Sequence, residues 1–268
     1  MIITLTTDFG AGSRYVAQMK GVLLSRAPRA TLVDLSHNVR PQDIRAASRL
    51  LQESVDCFPE ETVHLAVVDP GVGTEREIAV VRAHDQWFVG PDNGLFGWTM
   101  DNDPKAEAVA LDVSKIDPAG LSSTFHGRDL MAPAAAMLAQ GAALADLGSE
   151  PLDLVRLPPE PLPTVEHGDG RSVIRGRIAE IDAYGNLITN IDETLLNETP
   201  HGDALRIVCG EHETFGVWRT YAEQPPQTLI ALFGSTNKLE LAIVNGNAAK
   251  MLGAVEGETV TLEWGTGE

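Results

Sequence analysis

Two rhythms alternate along the first 157 residues. Unbroken apolar runs rich in β-branched residues, Ile2 to Thr6, Thr31 to Leu35 and Val63 to Val68, predict buried strands. Between the first two, Tyr15, Val16, Met19, Val22 and Leu23 recur at helical spacing up to Pro28. A second helix is predicted from Asp43 to about Cys57, with Pro41 ahead of it as a start signal. Glu77 to Arg82 and Trp87 to Val89 read as paired strands around a polar turn, and the Ala-, Leu- and Met-rich stretch Asp129 to Gln140 as a further helix. Strands alternating with helices in this way predict an α/β sandwich domain with a mostly parallel sheet.

The run Leu-Pro-Pro-Glu-Pro-Leu-Pro that starts at Leu157 holds four prolines in seven residues, too many for a helix or a central strand. Residues 1–157 are therefore expected to be the α/β domain, 158–169 a Pro-rich linker and 170–268 a second, smaller domain. There, short β-prone runs at 173–181, 186–191, 205–209, 214–218, 228–233, 239–244 and 258–264 are separated by Gly, Asn and Asp turns, with helical signal only near Gly246 to Leu252. That spacing predicts a β-barrel or sandwich.

Charge narrows the function. With 38 acidic against 20 basic side chains and a net charge of -18 over 268 residues, the surface repels phosphate backbones and anionic headgroups, so neither nucleic acid nor membrane is an expected partner. No window approaches the roughly 18 apolar residues of a membrane span. Met1 to Asp8 opens directly on a strand-like run without a basic leader, and a cytoplasmic protein is expected. Cys57 and Cys209 lie far apart and outside any C-x-x-C pair, which predicts buried, reduced thiols rather than a disulfide or a zinc–thiolate site.

No G-x-x-x-x-G-K-[ST] occurs, and neither Gly10-Ala11-Gly12 nor Gly71-Val72-Gly73 is completed to G-x-G-x-x-G. H-E-x-x-H is missing and the seven histidines lack ligand spacing, so no metal is expected. What remains is a set of polar residues at strand ends, where an open α/β sheet binds its ligands. These are Asp8, Asp69 and the turn Pro91-Asp92-Asn93-Gly94. Each is a good turn former in its own right, and only their shared position makes a candidate site. Thr124-Phe125-His126-Gly127-Arg128-Asp129 adds a histidine before a helix for which Asp129 is the natural N-cap. On residue types alone, a metal-dependent hydrolase using Asp69, Asp92 and His126 stays open, as does a non-catalytic nucleoside-binding module using Asp8 and Asn186.

Six segments in order carry a resemblance: Thr6-Thr7-Asp8-Phe9-Gly10, Val67-Val68-Asp69-Pro70-Gly71-Val72-Gly73-Thr74, Pro91-Asp92-Asn93-Gly94, Phe125-His126-Gly127-Arg128-Asp129, Tyr184-Gly185-Asn186-Leu187-Ile188-Thr189-Asn190 and Leu239-Glu240-Leu241-Ala242. Together they resemble the S-adenosylmethionine hydroxide adenosyltransferase family, relatives of the fluorinase and chlorinase enzymes. The resemblance implies an N-terminal α/β domain with a C-terminal β-barrel, assembled as a homotrimer with sites between subunits. The implied reaction is hydrolysis of S-adenosyl-L-methionine, by the family's preference its R-sulfonium epimer, to adenosine and L-methionine, with no cofactor beyond the substrate itself. The family's catalytic Asp, Arg and His fall on Asp69, Arg76 and His126. Halide transfer to give a 5′-halo-5′-deoxyadenosine is the alternative, and the intact triad argues against it.

That chemistry suits the residues. Displacement at C5′ releases a neutral thioether, so the difficulty lies in aligning water behind C5′ and removing its proton. A carboxylate and an imidazole can take or relay that proton while a guanidinium stabilises developing hydroxide. Asp8 suits the two ribose hydroxyls, Asn186 the adenine edge, and Glu240 with Ser235 the ammonium and carboxylate of the methionine end. Because an unpaired carboxylate in an apolar strand is costly, Glu240 is expected to have a cationic partner. Phe9 and Tyr15 pack either on the ligand or in the core.

Overall fold

Strand β1 (Ile2–Thr7) is buried from Ile3 to Thr7 and lies between two parallel neighbours, which is why its sequence runs apolar without alternating. In the computed structural model, which describes residues 1–101, 103–116, 120–168, 170–197 and 205–265, the chain forms two units, Met1–Pro158 and Pro159–Glu268.

In the first unit β1 leads through α1 (Arg14–Arg26) to β2 (Thr31–Ser36), then through α2 (Ile44–Val55) to β3 (Val63–Val67). The hairpin β4 (Ile78–Ala83) and β5 (Gln86–Pro91), the strand β6 (Glu107–Ala110) and helices α3 (Ala132–Leu138) and α4 (Leu144–Leu147) follow. The sheet order is β2-β1-β3-β5-β4-β6, parallel through β2, β1, β3 and β5, with β4 and β6 antiparallel. Side chains of β3 and of Val68 just after it alternate between two cores: Leu65 and Val67 meet Met19, Leu23, Ala135 and Leu138, while Ala66 and Val68 join Ala47, Leu51, Phe88 and Phe96. The sheet is thus covered by helices on both faces.

Helix starts follow the caps. Ser13 Oγ accepts from Tyr15 N at 3.3 Å, and Asp43 Oδ1 accepts from Ala46 N at 2.9 Å, each the kind of cap that stabilises a helix by about 1 kcal/mol. Because α2 ends at Val55, Cys57 lies in the turn beyond it and is exposed, against the expectation of burial; Cys209 is buried. The helix expected from Asp129 instead begins with a wide five-residue turn, Gly127–Met131, in which the Ala132 amide reaches back to the Gly127 carbonyl. Pro133 explains the widening, since it has no amide with which to close an ordinary turn onto Asp129.

The second unit contains β7 (Thr164–Gly168), β8 (Arg171–Ile181), β9 (Leu187–Asp192), α5 (Glu193–Asn197), β10 (Arg206–Cys209), β11 (His212–Phe215), β12 (Leu229–Phe233), β13 (Lys238–Ile243), α6 (Ala248–Leu252) and β14 (Thr259–Gly265). Its strands pair antiparallel in the order β11-β10-β14-β8-β9-β13-β12, with β7 beside β8. Thr214 Oγ1 donates to the Leu229 carbonyl at 2.8 Å, linking the two end strands so that the sheet curls into a nearly closed barrel. Ile174, Ile178, Leu187, Ile191, Leu241 and Trp264 fill it. The strand expected at 214–218 stops at Phe215 because Gly216 turns to φ +72°. Among the described residues no helix is long and apolar enough to cross a membrane.

Candidate active site

Asp8 and Asp69 follow the C-terminal ends of the neighbouring parallel strands β1 and β3, so the topology sets two carboxylates at one edge of the sheet. After Asp69 the chain reverses through two tight turns, closed by Val72 N to Asp69 O at 3.3 Å and Thr74 N to Gly71 O at 3.1 Å. The reversal returns Arg76 onto Asp69. Its Nε donates to Oδ1 at 3.0 Å and Oδ2 at 3.2 Å, and its Nη2 to Oδ2 at 2.5 Å. Both side chains are largely withdrawn from solvent, 11% and 6% exposed, where a charge-assisted pair is strong.

The same guanidinium reaches the third residue: Arg76 Nη2 lies 3.1 Å from His126 Nδ1. A guanidinium only donates, so Nδ1 is the acceptor and the neutral ring carries its proton on Nε2. Burial, and then the charge of Arg76, hold the imidazole pKa below its ordinary 6.5, with Asp69 and Asp129 opposing. His126 is presented by a loop pinned at both ends. Asp129 Oδ2 accepts from Ser122 N at 2.8 Å, and Arg128 Nε donates to Asp129 Oδ1 at 2.6 Å. Asp129 is therefore a loop anchor and not the N-cap expected of it; the cap position is His126, which makes no side-chain capping bond.

Gly73 brings the two loops together. It sits at φ +81°, and a Cβ there would lie 2.6 Å from the Ser123 carbonyl oxygen, so only glycine allows the 69–76 loop to touch the loop that carries His126. Asn93 Nδ2 donates to the Val68 carbonyl at 2.9 Å, tying the turn after β5 to the residue before Asp69. Asp92 turns elsewhere: Oδ1 accepts from Val155 N at 2.9 Å, and burial pushes its pKa up. Asp69, Asp92 and His126 do not converge, and among the described residues no group of three or more His, Cys, Asp or Glu is placed to hold a metal ion.

Phe9, Tyr15 and Phe125 pack edge to face on one another, with centroids 5.2 to 5.9 Å apart, and Phe125 directly precedes His126. Asp8 is half-buried, and its Oδ2 accepts from Gln42 N at 2.8 Å.

The second unit gathers the remaining candidates around the β8–β9 turn and β13. Asn186 is buried, with its backbone amide on Asp182 Oδ1 at 2.8 Å and its Nδ2 on Asp182 Oδ2 at 3.0 Å, an arrangement that fixes the carboxamide and, among the described residues, leaves its oxygen free to accept. Glu240 is buried on β13, where Tyr221 Oη donates to Oε1 at 2.5 Å. Within the protein its partner is thus a neutral hydroxyl. Burial pushes the Glu240 carboxyl pKa up, and the negative Asp182 pushes it further. Ser235 is exposed in the turn between β12 and β13. Asp182 and Tyr221 were not singled out in the sequence. Asp182 had a signal, an Asp before Tyr-Gly-Asn that caps its own turn, whereas Tyr221 lies in an irregular segment that periodicity cannot place.

Residues 3–148 match the family profile described as the SAM hydroxide adenosyltransferase N-terminal domain, and residues 176–261 match that of its C-terminal domain. The chain is 40% identical to the (R)-S-adenosyl-L-methionine hydrolase of Thermus thermophilus, over 96% of this chain and 97% of the relative. A fluorinase of Actinoplanes sp. is 31% identical over 75% of each chain. A crystal structure of an uncharacterized conserved protein from Thermotoga maritima superposes with a TM-score of 0.85 at 33% identity, covering 98% of this chain and all of that one.

Proposed function

Since the chain belongs to the SAM hydroxide adenosyltransferase family, we propose that it hydrolyses S-adenosyl-L-methionine, as the R-sulfonium epimer, to adenosine and L-methionine. The observation that carries this reading is the single guanidinium of Arg76 bonded to both Asp69 and His126, a charged, largely buried group beside two others able to hold water.

Water attacks C5′, an O–C5′ bond forms, the C5′–S bond breaks, and its electron pair leaves on sulfur as the neutral thioether of methionine. The one proton to be removed is that of the attacking water. With Nδ1 occupied by Arg76, His126 presents Nε2–H, a donor that orients the water oxygen, so the proton goes to Asp69. A carboxylate has about four lone-pair directions, and those not taken by Arg76 are free to accept it. Arg76 fixes both partners and stabilises negative charge developing on oxygen. Asp8 takes the ribose hydroxyls, the free carboxamide oxygen of Asn186 accepts from the adenine amino group, and Glu240 with Ser235 takes the methionine end. S-Adenosylmethionine is the substrate, with no separate cofactor. The resemblance adds a cytoplasmic homotrimer with sites between subunits, testable by light scattering.

Turnover in oxygen-18 water with a chelator present tests the assignment. Label in the 5′-hydroxyl of adenosine is expected; a halogenated nucleoside, or loss of turnover on chelation, would overturn it.

A further inference from the structure

In the last four residues of the β2–α2 connection, the backbone does something that its sequence resists. Arg40-Pro41-Gln42-Asp43 forms a turn closed by Asp43 N on Arg40 O at 3.0 Å, with Gln42 at φ +67°. Proline at the second position and a left-handed third residue define a turn in which glycine or asparagine is the unstrained choice for the third. Gln42 is neither. It is held there from both sides, by the fixed ring torsion of Pro41 and by Asp43, which caps α2 through Ala46 N at 2.9 Å. Strain that the surroundings over-determine calls for a reason.

The reason lies in what the strained peptide faces. The Gln42 amide donates to Asp8 Oδ2 at 2.8 Å across 34 residues of sequence. The rest of the same segment grips the loop that carries Asp8. Gly10 N donates to the His37 carbonyl at 2.7 Å, Ala11 N to Asn38 Oδ1 at 3.0 Å, and the buried His37 places Nδ1 2.9 Å from Thr7 Oγ1. Thr7 Oγ1 also accepts from Phe9 N at 3.3 Å, so the residues on either side of Asp8 are tied to one hydroxyl. One carboxylate oxygen is fixed by a backbone donor, and the other, without a hydrogen-bond partner among the described residues, is left for a ligand.

We propose that residues 36–42 form a clamp that preorganises Asp8 for a vicinal diol, with Gln42 as a positioning residue held strained for that purpose. The proposal rests on the reading of Asp8 as the ribose ligand.

The test compares Gln42→Gly with Asp8→Ala and Asn38→Ala for adenosine binding by calorimetry, steady-state kinetics and melting. Gly relieves the strain but lets the peptide turn away. Gln42→Gly should therefore melt no lower than the wild type, and about 2 °C higher if the strain is near 1 kcal/mol. It should bind adenosine about three- to tenfold more weakly, the worth of one net hydrogen bond, with KM raised by a similar factor and kcat within about twofold. Asn38→Ala, which removes the acceptor for Ala11 N from an exposed position, should weaken binding in the same sense. A purely structural turn would change melting and leave KM alone. If Asp8→Ala abolishes binding while Gln42→Gly and Asn38→Ala bind adenosine normally, the clamp is wrong and the ribose reading stands. If Asp8→Ala itself binds adenosine normally, both fall.

Discussion

Arg76 Nη2 stands 3.1 Å from His126 Nδ1, a contact that exists only while that nitrogen is unprotonated. Acid places a second N–H donor against the guanidinium and breaks the pair. Since burial and Arg76 both lower the His126 pKa from 6.5, kcat should be flat at neutral pH and above and fall as pH drops below 6.5 through the lowered value. Arg76→Ala removes the repelling charge, so whatever activity it keeps should titrate with a midpoint moved up toward 6.5. A profile that rises on acidification, or a midpoint that moves down in Arg76→Ala, would contradict this arrangement.

Substitution should separate chemistry from binding. Asp69→Asn keeps the shape but removes the proposed proton acceptor, and His126→Ala removes the proposed orienting donor. Each should lower kcat by about a hundredfold to ten-thousandfold with adenosine affinity changed less than about threefold. Asp8→Ala and Asn186→Ala should do the reverse. Near-normal turnover in folded Asp69→Asn would show that Asp69 does not take the proton of the attacking water.

How far the sequence could lead is visible in these residues. Unbroken apolar runs in β1 and β3 placed Asp8 and Asp69 at strand ends, because a strand buried on both faces has no other pattern available. His126 stood out only as a histidine before a helix, and Arg76 only through resemblance: Arg76 lies seven residues from Asp69 and His126 a further fifty, and nothing local signals that a left-handed Gly73 folds one loop against the other. The wide turn at Gly127–Met131 escaped because a period of 3.6 residues cannot register a single five-residue turn. Tyr221 escaped because its hydrogen bond to Glu240 depends on barrel geometry rather than on any period.

A second histidine should set part of the acid stability. His64 is 1% exposed between Thr4 and Gln86, and burial lowers its pKa from 6.5. Gln86 Nε2 donates to the Val55 and Phe58 carbonyls at 3.0 and 3.1 Å, so its Oε1 faces His64 Nε2, leaving Nδ1 to accept from Thr4 Oγ1 at 2.8 Å. The unfolded chain takes up this proton more readily than the folded one. Stability from His64 is therefore fully present above 6.5 and lost as pH falls through the lowered folded value, with a slope of at most about 1.4 kcal/mol per pH unit. In urea titrations between pH 7.5 and about 5, His64→Gln should flatten part of that slope. An unchanged slope would show that the ring takes up its proton equally readily in the folded and unfolded chains, against the lowering argued here.

Gly73 offers the sharpest test of the loop contact on which the triad depends. A side chain at φ +81° is strained anywhere, and here its Cβ would also fall 2.6 Å from the Ser123 carbonyl oxygen, a backbone atom that cannot swing aside. Gly141, at φ +94° with nothing within 4 Å of a built Cβ, has the strain without the collision. Gly141→Ala should therefore be destabilised by about 1 kcal/mol with turnover intact. Gly73→Ala must add a displacement of one loop from the other, separating Arg76 from His126. A shift of about 1 Å at reacting groups can lower turnover about a hundredfold, so kcat should fall by that order in Gly73→Ala even where melting shows it folded. If both alanine variants lost only stability, the approach of the two loops would be a matter of packing and the Arg76–His126 contact would not govern the rate.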